Sequence, residues 1–313
     1  MLQTKALYNL LRFNAKKDPS IKAEPWALEN LREASLDALW RKLVRLKIPL
    51  DATHFVQFAK ECDSPEALAD LLLDETQANL YDPIYLILFE LWRRFFPERA
   101  SLSIFCDELD FQMDHYDSGE LQSDEPIQDG LANLLEILEE HVDQGMSPKL
   151  AFTSVSEYLA TDLTTFLYDY ILDLLDQGGT LYASELIEEF SPYIPDPIRF
   201  DCLAVRLQTN IVQANQQIKA LLHKPLEQDL LFDLLHLLAA IGEHELFQAA
   251  IKKLLPTLTD EEEIEEILDI AIEYYRRLDL DELAQAIVQI KKKRPQNLKE
   301  FQNLIFAENI LLP

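Results

Sequence analysis

Apolar positions recur at helical spacing along nearly the whole of this chain. The clearest run is Leu163, Phe166, Leu167, Tyr170, Ile171, Leu174 and Leu175, a single stripe with Asp162, Asp169, Asp173 and Asp176 mostly off it. That pattern predicts an amphipathic helix. Gly178-Gly179 predicts where it stops, because glycine takes the left-handed conformation beyond a helix C-terminus without a steric penalty. The preceding helix, Leu131 to Asp143, ends in the same residues: Asp143-Gln144-Gly145 recurs as Asp176-Gln177-Gly178 at an offset of 33. In the helices that follow, Ala151, Val155, Glu157 and Tyr158 align with Ala183, Ile187, Glu189 and Phe190 at an offset of 32. Two helical hairpins therefore read as copies.

Extended along the chain, the same reading places hairpins at 131–160, 163–190, 197–222, 228–255 and 261–292, with a closing helix over 296–310. Regular spacing of this kind suits a stack, since one helix pair cannot bury its apolar face alone and must lay it on the next. Pro256 and Pro295 close the last two pairs, because proline cannot continue a helix. Upstream, 52–74 and 83–114 read as further pairs, with Ser64-Pro65-Glu66 and Asp82-Pro83 as capped helix starts, and Leu28 to Leu46 predicts a helix in the first 50 residues. The expected fold class is all-α: an α-solenoid of stacked antiparallel helical hairpins with a helical N-terminal half. Its one evident interruption is the segment 116–130, rich in Asp, Ser, Gly and Gln. The expected organisation is an aromatic-rich helical region over 1–115, an acidic loop or linker over 116–130, and a hairpin array with a C-terminal capping helix over 131–313.

The hairpin plan resembles the tetratricopeptide family, whose repeat is a helix-turn-helix of about 34 residues. Tyr274, Ala284 and Pro295 fall near family positions in the last pair, while the small residue there is Ala271 and the aromatic that opens the repeat is missing. The resemblance implies peptide binding along a concave groove. A HEAT-like or unclassified α-solenoid fits the spacing nearly as well, and a compact multi-helix bundle is a further arrangement.

Composition supports helix and narrows location. Apolar residues at 48% exclude a disordered chain, and 6 glycines leave little material for the turns of a sheet protein. Cys62, Cys106 and Cys202 are too few and too far apart for a disulfide framework or a zinc site, and read as buried thiols in a reducing compartment. Lys5 and Asn9 interrupt Leu2 to Leu11, so a secretory apolar core is lacking there. The most apolar stretch, Leu230 to Ile241, contains Asp233 and His236 and falls short of the roughly 18 to 20 residues that span a bilayer. A cytoplasmic protein without a membrane span is expected.

A net charge of -28 argues against nucleic acid, whose binding is driven by Lys and Arg displacing counterions. The charge is unevenly distributed. Residues 1–50 hold 10 Lys and Arg against 5 Asp and Glu, and residues 51–250 hold 9 against 38. The acidity reads either as a recruiting face for a basic partner or as a means of solubility. The first helix sets Lys5, Arg12, Lys16 and Lys17 around Leu7, Leu10 and Leu11, which suits a cap on the chain's own acidic body or a touch on a membrane surface.

Few constellations suggest chemistry. Asp114 to Glu125 places Gly119 and Glu125 at the sixth and twelfth positions of a calcium loop, but Tyr116 takes the third, where a carboxylate is needed, so an acidic loop is the simpler reading and Asp114 and Glu125 are only weak metal candidates. Asp107, Asp110 and Asp114 share one helical face and would hold magnesium only if a second acidic face, such as Asp162, Asp169, Asp173 and Asp176, met them. Asp233 and His236 have the i, i+3 spacing of paired ligands, although His236 lies in an apolar helix where a hydrogen-bonded structural role is simpler. Lys291, Lys292, Lys293 and Arg294 end a helix, where cations stabilise the free carbonyls or dock an acidic partner. No nucleophile elbow, phosphate loop or dinucleotide fingerprint occurs.

The functional expectation is a non-enzymatic scaffold, adaptor or chaperone that binds a protein or peptide, a basic one if the acidity recruits, with no cofactor. Asp169, Asp173, Glu185, Glu188 and Glu189 form its candidate face, and Tyr274 and Tyr275 its anchor. The alternatives are a metal-dependent helical enzyme built on the clustered aspartates, or an architectural subunit of an oligomer.

Overall fold

The computed structural model describes residues 4–73, 79–99 and 101–293. Among them are sixteen α-helices and no strand, so the chain is all-α. It divides into two compact units, Met1–Leu167 with Pro192–Pro195, and Tyr168–Ser191 with Asp196–Pro313.

The first unit contains α1 (Thr4–Lys17), α2 (Leu36–Arg45), α3 (Ala52–Ala59), α4 (Pro65–Leu72), α5 (Tyr81–Phe95), α6 (Leu102–Asp117), α7 (Glu125–Asp143), α8 (Pro148–Ser156) and the first residues of α9 (Leu163–Asp176). Its centre is α5, in which every residue from Ile84 to Trp92 is buried. A helix that is apolar all round must be enclosed on all faces, and α2, α4 and the 3-10 turn Leu31–Glu33 lie against it. Phe55, Phe95 and Trp40 meet there edge-on or tilted at centroid distances of 5.5 to 5.9 Å, the geometry that ring quadrupoles favour.

The second unit continues through the rest of α9, then α10 (Thr180–Phe190), α11 (Ile198–Arg206), α12 (Ile211–Leu221), α13 (Gln228–Ile241), α14 (His244–Leu254), α15 (Glu261–Arg277) and α16 (Asp281–Lys293). In α11–α12, α13–α14 and α15–α16, short connections join helices that pack as neighbours, and each hairpin also lies on the next: α11 on α13, α12 on α14, and α13 on α15. The stacking follows from the apolar faces. Leu234, Leu235 and Leu238 of α13 and Ile264, Ile267, Leu268 and Ala271 of α15 are all buried. Arg199 of α11 lies over the Tyr168 ring of α9 and reaches Asp229 of α13 at 2.9 Å, while the Tyr168 hydroxyl donates to Asp233.

The helix ends carry a shared device. At α6, α7 and α9 the chain turns through Gly119, Gly145 and Gly178 at φ of 67°, 100° and 84°. Each glycine amide donates to the carbonyl three residues earlier and the next amide to the carbonyl five residues before it, as in Gly178 to Leu175 and Gly179 to Leu174. These bonds satisfy carbonyls that the helix leaves open and reverse the chain into the next helix. Helices α2 and α15 end identically, but with Lys47 and Asp279 at φ of 67° and 58°.

Several expectations shift. The helix expected over Leu28 to Leu46 is broken: Ser35 caps the Ala38 amide and starts α2 afresh, with only a 3-10 turn before it. Asp82 does not cap α5, whose N-cap is Leu80. Helix α6 runs through Asp117 and α7 begins at Glu125, so within 116–130 only 118–124 lies outside helices. Pro256 falls in a 3-10 turn just beyond α14, as expected of a stop. Pro295 and the closing helix over 296–310 lie outside the described residues.

A side chain in the left-handed region carries a steric penalty that glycine lacks, partly offset by glycine's larger unfolded entropy. Lys47→Gly and Asp279→Gly are each expected to raise unfolding free energy by about 0.5–1 kcal/mol. Urea denaturation checks this, and a midpoint that falls in both variants would refute the strain.

Candidate functional site

The acidic residues singled out by the sequence fall on two helices. Asp169 and Asp173 are exposed on α9, and Glu185, Glu188 and Glu189 are exposed on α10, where intervals of three and four place them along one face. No Lys or Arg occurs between Lys149 and Arg199, so nothing basic from this stretch interrupts the acids. Asp162 caps α9 through the Thr165 amide at 2.8 Å, and Asp176 pairs with Arg206 at 3.2 Å.

The expected anchor is corrected. Tyr274 and Tyr275 are fully buried. The Tyr274 ring stacks on Phe247 at 3.8 Å and the Tyr275 ring packs edge-on against it, so both fill the core between α14 and α15 and offer no surface to a partner. Two adjacent aromatics on an amphipathic helix can both be interior when the buried stripe is wide, and here Ile270 to Ile272 are buried as well.

The second constellation, the aspartates of α6, is drawn inward. Asp107 and Asp110 are almost wholly buried. Asp107 accepts Asn9 Nδ2 at 2.9 Å and Arg32 Nη2 at 2.7 Å, with Lys5 Nζ at 3.4 Å. Arg32 also binds Glu108 at 3.0 Å and lies over the Phe111 ring. Glu108 is shared with Arg93, which together with Arg94 neutralises the buried Glu90 of α5. Arg94 finally donates to the carbonyls of Leu31, Arg32 and Ala34, holding the 3-10 turn in place. A continuous ionic network thus ties α1, the 31–33 turn, α5 and α6. Sequence reading placed α1 as a cap on acidic residues but missed Arg32, Glu90, Arg93 and Arg94. For Arg32 the sequence signal was the basic excess of the first 50 residues, and for Glu90, Arg93 and Arg94 it was their i, i+3 and i, i+4 spacing on one helix.

Asp110 is satisfied differently. It accepts the amides of Ala160 at 2.9 Å and Thr161 at 3.0 Å, anchoring the connection between α8 and α9. Burial raises its carboxyl to about 6 despite those donors, and the charge of Asp107 adds to the rise. Asp107, equally buried, is held below the usual carboxylate range by Lys5 and Arg32.

Beside the network lies a cleft of about 720 Å³ lined by Asn9, Arg12, Lys16, Arg32, Asp107 and Asp114, among others. Asp114 pairs with Lys16 at 3.4 Å. Because α6 continues through Asp117, the twelve-position calcium loop from Asp114 to Glu125 is not formed. His236 meets Glu266 at 3.2 Å, whereas Asp233 faces Tyr168, so the pair does not converge on one point. Lys291 engages Asp269 of α15 at 2.6 Å, and Arg294 lies outside the described residues. Among the described residues, no three His, Cys, Asp or Glu side chains come together as metal ligands. Cys62, Cys106 and Cys202 are free and buried. Among the same residues, no helix is long and apolar enough to cross a membrane. Comparison of the chain with protein families, curated proteins and solved structures finds no match.

The contrast between the two buried aspartates sets a pH dependence. A carboxyl whose pKa is raised on folding binds its proton more tightly in the native state, so its contribution to stability declines as pH rises from about 4 to about 6 and is flat above. For Asp110 the decline is about 2–3 kcal/mol. Asp107, with a lowered pKa, acts oppositely and only at lower pH, its stabilisation being lost as pH falls below the usual carboxylate value. Asp110→Asn is expected to remove the decline between about pH 4 and 6.5. Urea unfolding at several pH values checks this, and parallel curves for the two proteins would refute it.

Proposed function

We propose that this protein is a non-enzymatic scaffold or adaptor that binds a basic protein or peptide segment on the acidic faces of α9 and α10. The observation that carries the reading is that Asp169 and Asp173 on α9 and Glu185, Glu188 and Glu189 on α10 are all exposed, within a stretch from 150 to 198 that contains no Lys or Arg. Two of the carboxylates that the chain buries, Glu90 and Asp107, are paired with cations. A surface of one sign speeds and orients the encounter with its opposite, and fixes specificity more than affinity.

The hairpins support a helical-repeat reading of this scaffold, close in plan to the tetratricopeptide arrangement. Helices α11, α13 and α15 start at 198, 228 and 261, and successive pairs lie on one another. In such stacks, exposed helix faces form an extended binding surface while the buried faces provide stability. The tyrosines of α15 belong to the buried set, which leaves recognition to the charged and apolar residues that remain outside.

The test uses fluorescently labelled Lys- and Arg-rich amphipathic peptides, titrated against the full chain and against a variant carrying Asp169→Asn, Asp173→Asn, Glu185→Gln, Glu188→Gln and Glu189→Gln. Saturable binding that weakens at least about tenfold in the variant is expected, with helicity by circular dichroism unchanged. Equal binding to both proteins, or none by any peptide, would demote the acidity to a solubility device.

A further inference from the structure

Two exposed helix faces in this chain match each other in chemistry. On α10, Leu181 is 75% exposed and is followed on the same side by Glu185, Glu188 and Glu189, none of which forms an ion pair among the described residues. On α2, Val44 is 57% exposed and sits among Arg41, Arg45 and Lys47, which are exposed and likewise without ion pairs among the described residues. Leu36, at the start of α2, is 39% exposed. At 1.5 Å per residue, Arg41 to Arg45 and Glu185 to Glu189 each span about 6 Å, so the two rows of charge are the same length. Each has an exposed aliphatic side chain on the same helix.

The charge distribution of the whole chain has the same division. Residues 1–50 carry twice as many basic as acidic residues, whereas 100–198 carry 22 Asp and Glu against the single Lys149. Part of the N-terminal excess is used internally, by Lys5, Lys16 and Arg32 on α6. Lys42 pairs with Glu29, and of the others Arg41, Arg45 and Lys47 face outward beside an apolar residue.

From this complementarity we propose that the chain self-associates head to tail, the basic α2 face of one copy docking on the acidic α10 face of a second copy. The contact joins two different surfaces, so each copy that binds through α2 leaves its own α10 face open, and assembly continues until a ring closes or a filament grows. Exposed ion pairs contribute little individually, so the contact is weak, salt-sensitive and dependent on concentration. The inference shares the α10 acids with the scaffold reading above but names a different partner, so each can fail without the other.

Sedimentation velocity of the full chain, from low micromolar to several hundred micromolar, is the test. A weight-average mass that rises with concentration at about 0.05 M salt and collapses to the monomer value at about 0.5 M is expected, because the screening length shortens severalfold over that range. Two variants locate the contact: Arg41→Glu with Arg45→Glu, and Glu185→Lys with Glu189→Lys. Each alone should weaken association about tenfold or more, and an equimolar mixture should restore it, since the acidic α2 of the first now meets the basic α10 of the second. All four substituted positions are exposed, and circular dichroism verifies that the variants stay folded. A protein that is monomeric at every concentration, or whose association ignores the reversals, or variants whose mixture stays apart, would overturn the proposal. Should basic peptides still bind α10 in a monomeric protein, the scaffold reading survives and the self-association does not.

Discussion

Burying a carboxylate is tolerable only when a cation or several amide donors come with it, and the first unit is organised around that requirement. Glu90, Asp107 and Asp110 lie inside it, on the two helices that form its middle. An unpaired charge at such depth would cost several kcal/mol, of order 3–5 when one partner of a buried pair is removed. Lys5, Arg32, Arg93, Arg94 and the amides of Ala160 and Thr161 supply the compensation, drawn from α1, the 31–33 turn, α5 itself and the connection between α8 and α9. Packing of α1 and the 31–33 turn is therefore dictated by charge as much as by apolar area. Replacing the network with well-packed aliphatics need not destabilise the fold, but ions with fixed partners specify one arrangement where apolar side chains accept several.

The second unit achieves order by simpler means. Its hairpins lay aliphatic stripes on one another, and its ionic contacts, such as Arg199 with Asp229 and Lys291 with Asp269, lie at the rim. The unit carries Asp169, Asp173, Glu185, Glu188 and Glu189 on exposed positions, while the first unit buries Glu90, Asp107 and Asp110. That difference is why the acidic face of α9 and α10 merits a functional reading and the aspartates of α6 receive a structural one.

Much of the fold was legible in the order of residues. Helices, their pairing and two of the turns follow from periodicity and from Asp143-Gln144-Gly145 and its echo at Asp176-Gln177-Gly178, because a left-handed cap has a local cause that a local pattern can reveal. Lys47 and Asp279 make the same turn without glycine, and no pattern marks them. Burial around the helix axis was harder to read. The aromatic pair Tyr274 and Tyr275 read as an anchor, yet Phe247 of α14 packs on both. The ionic network was invisible for another reason: its partners lie as far apart in the chain as Lys5 and Asp107, and sequence shows charge but not which charges meet.

That separation has a consequence for how the protein is made. A chain emerging N-terminus first presents its basic helix long before the acids of α5 and α6 exist, and Asp110 waits until Ala160 and Thr161 have been synthesised. On a shorter nascent chain the Asp110 carboxyl lacks these amide donors, so closing the core of the first unit there is costlier. Non-local closure of this kind slows folding and prolongs exposure of apolar surface. During that interval, aliphatic and aromatic side chains destined for the core around α5 remain open to solvent, which makes the first half of the molecule the part that a nascent-chain chaperone would be called on to shield.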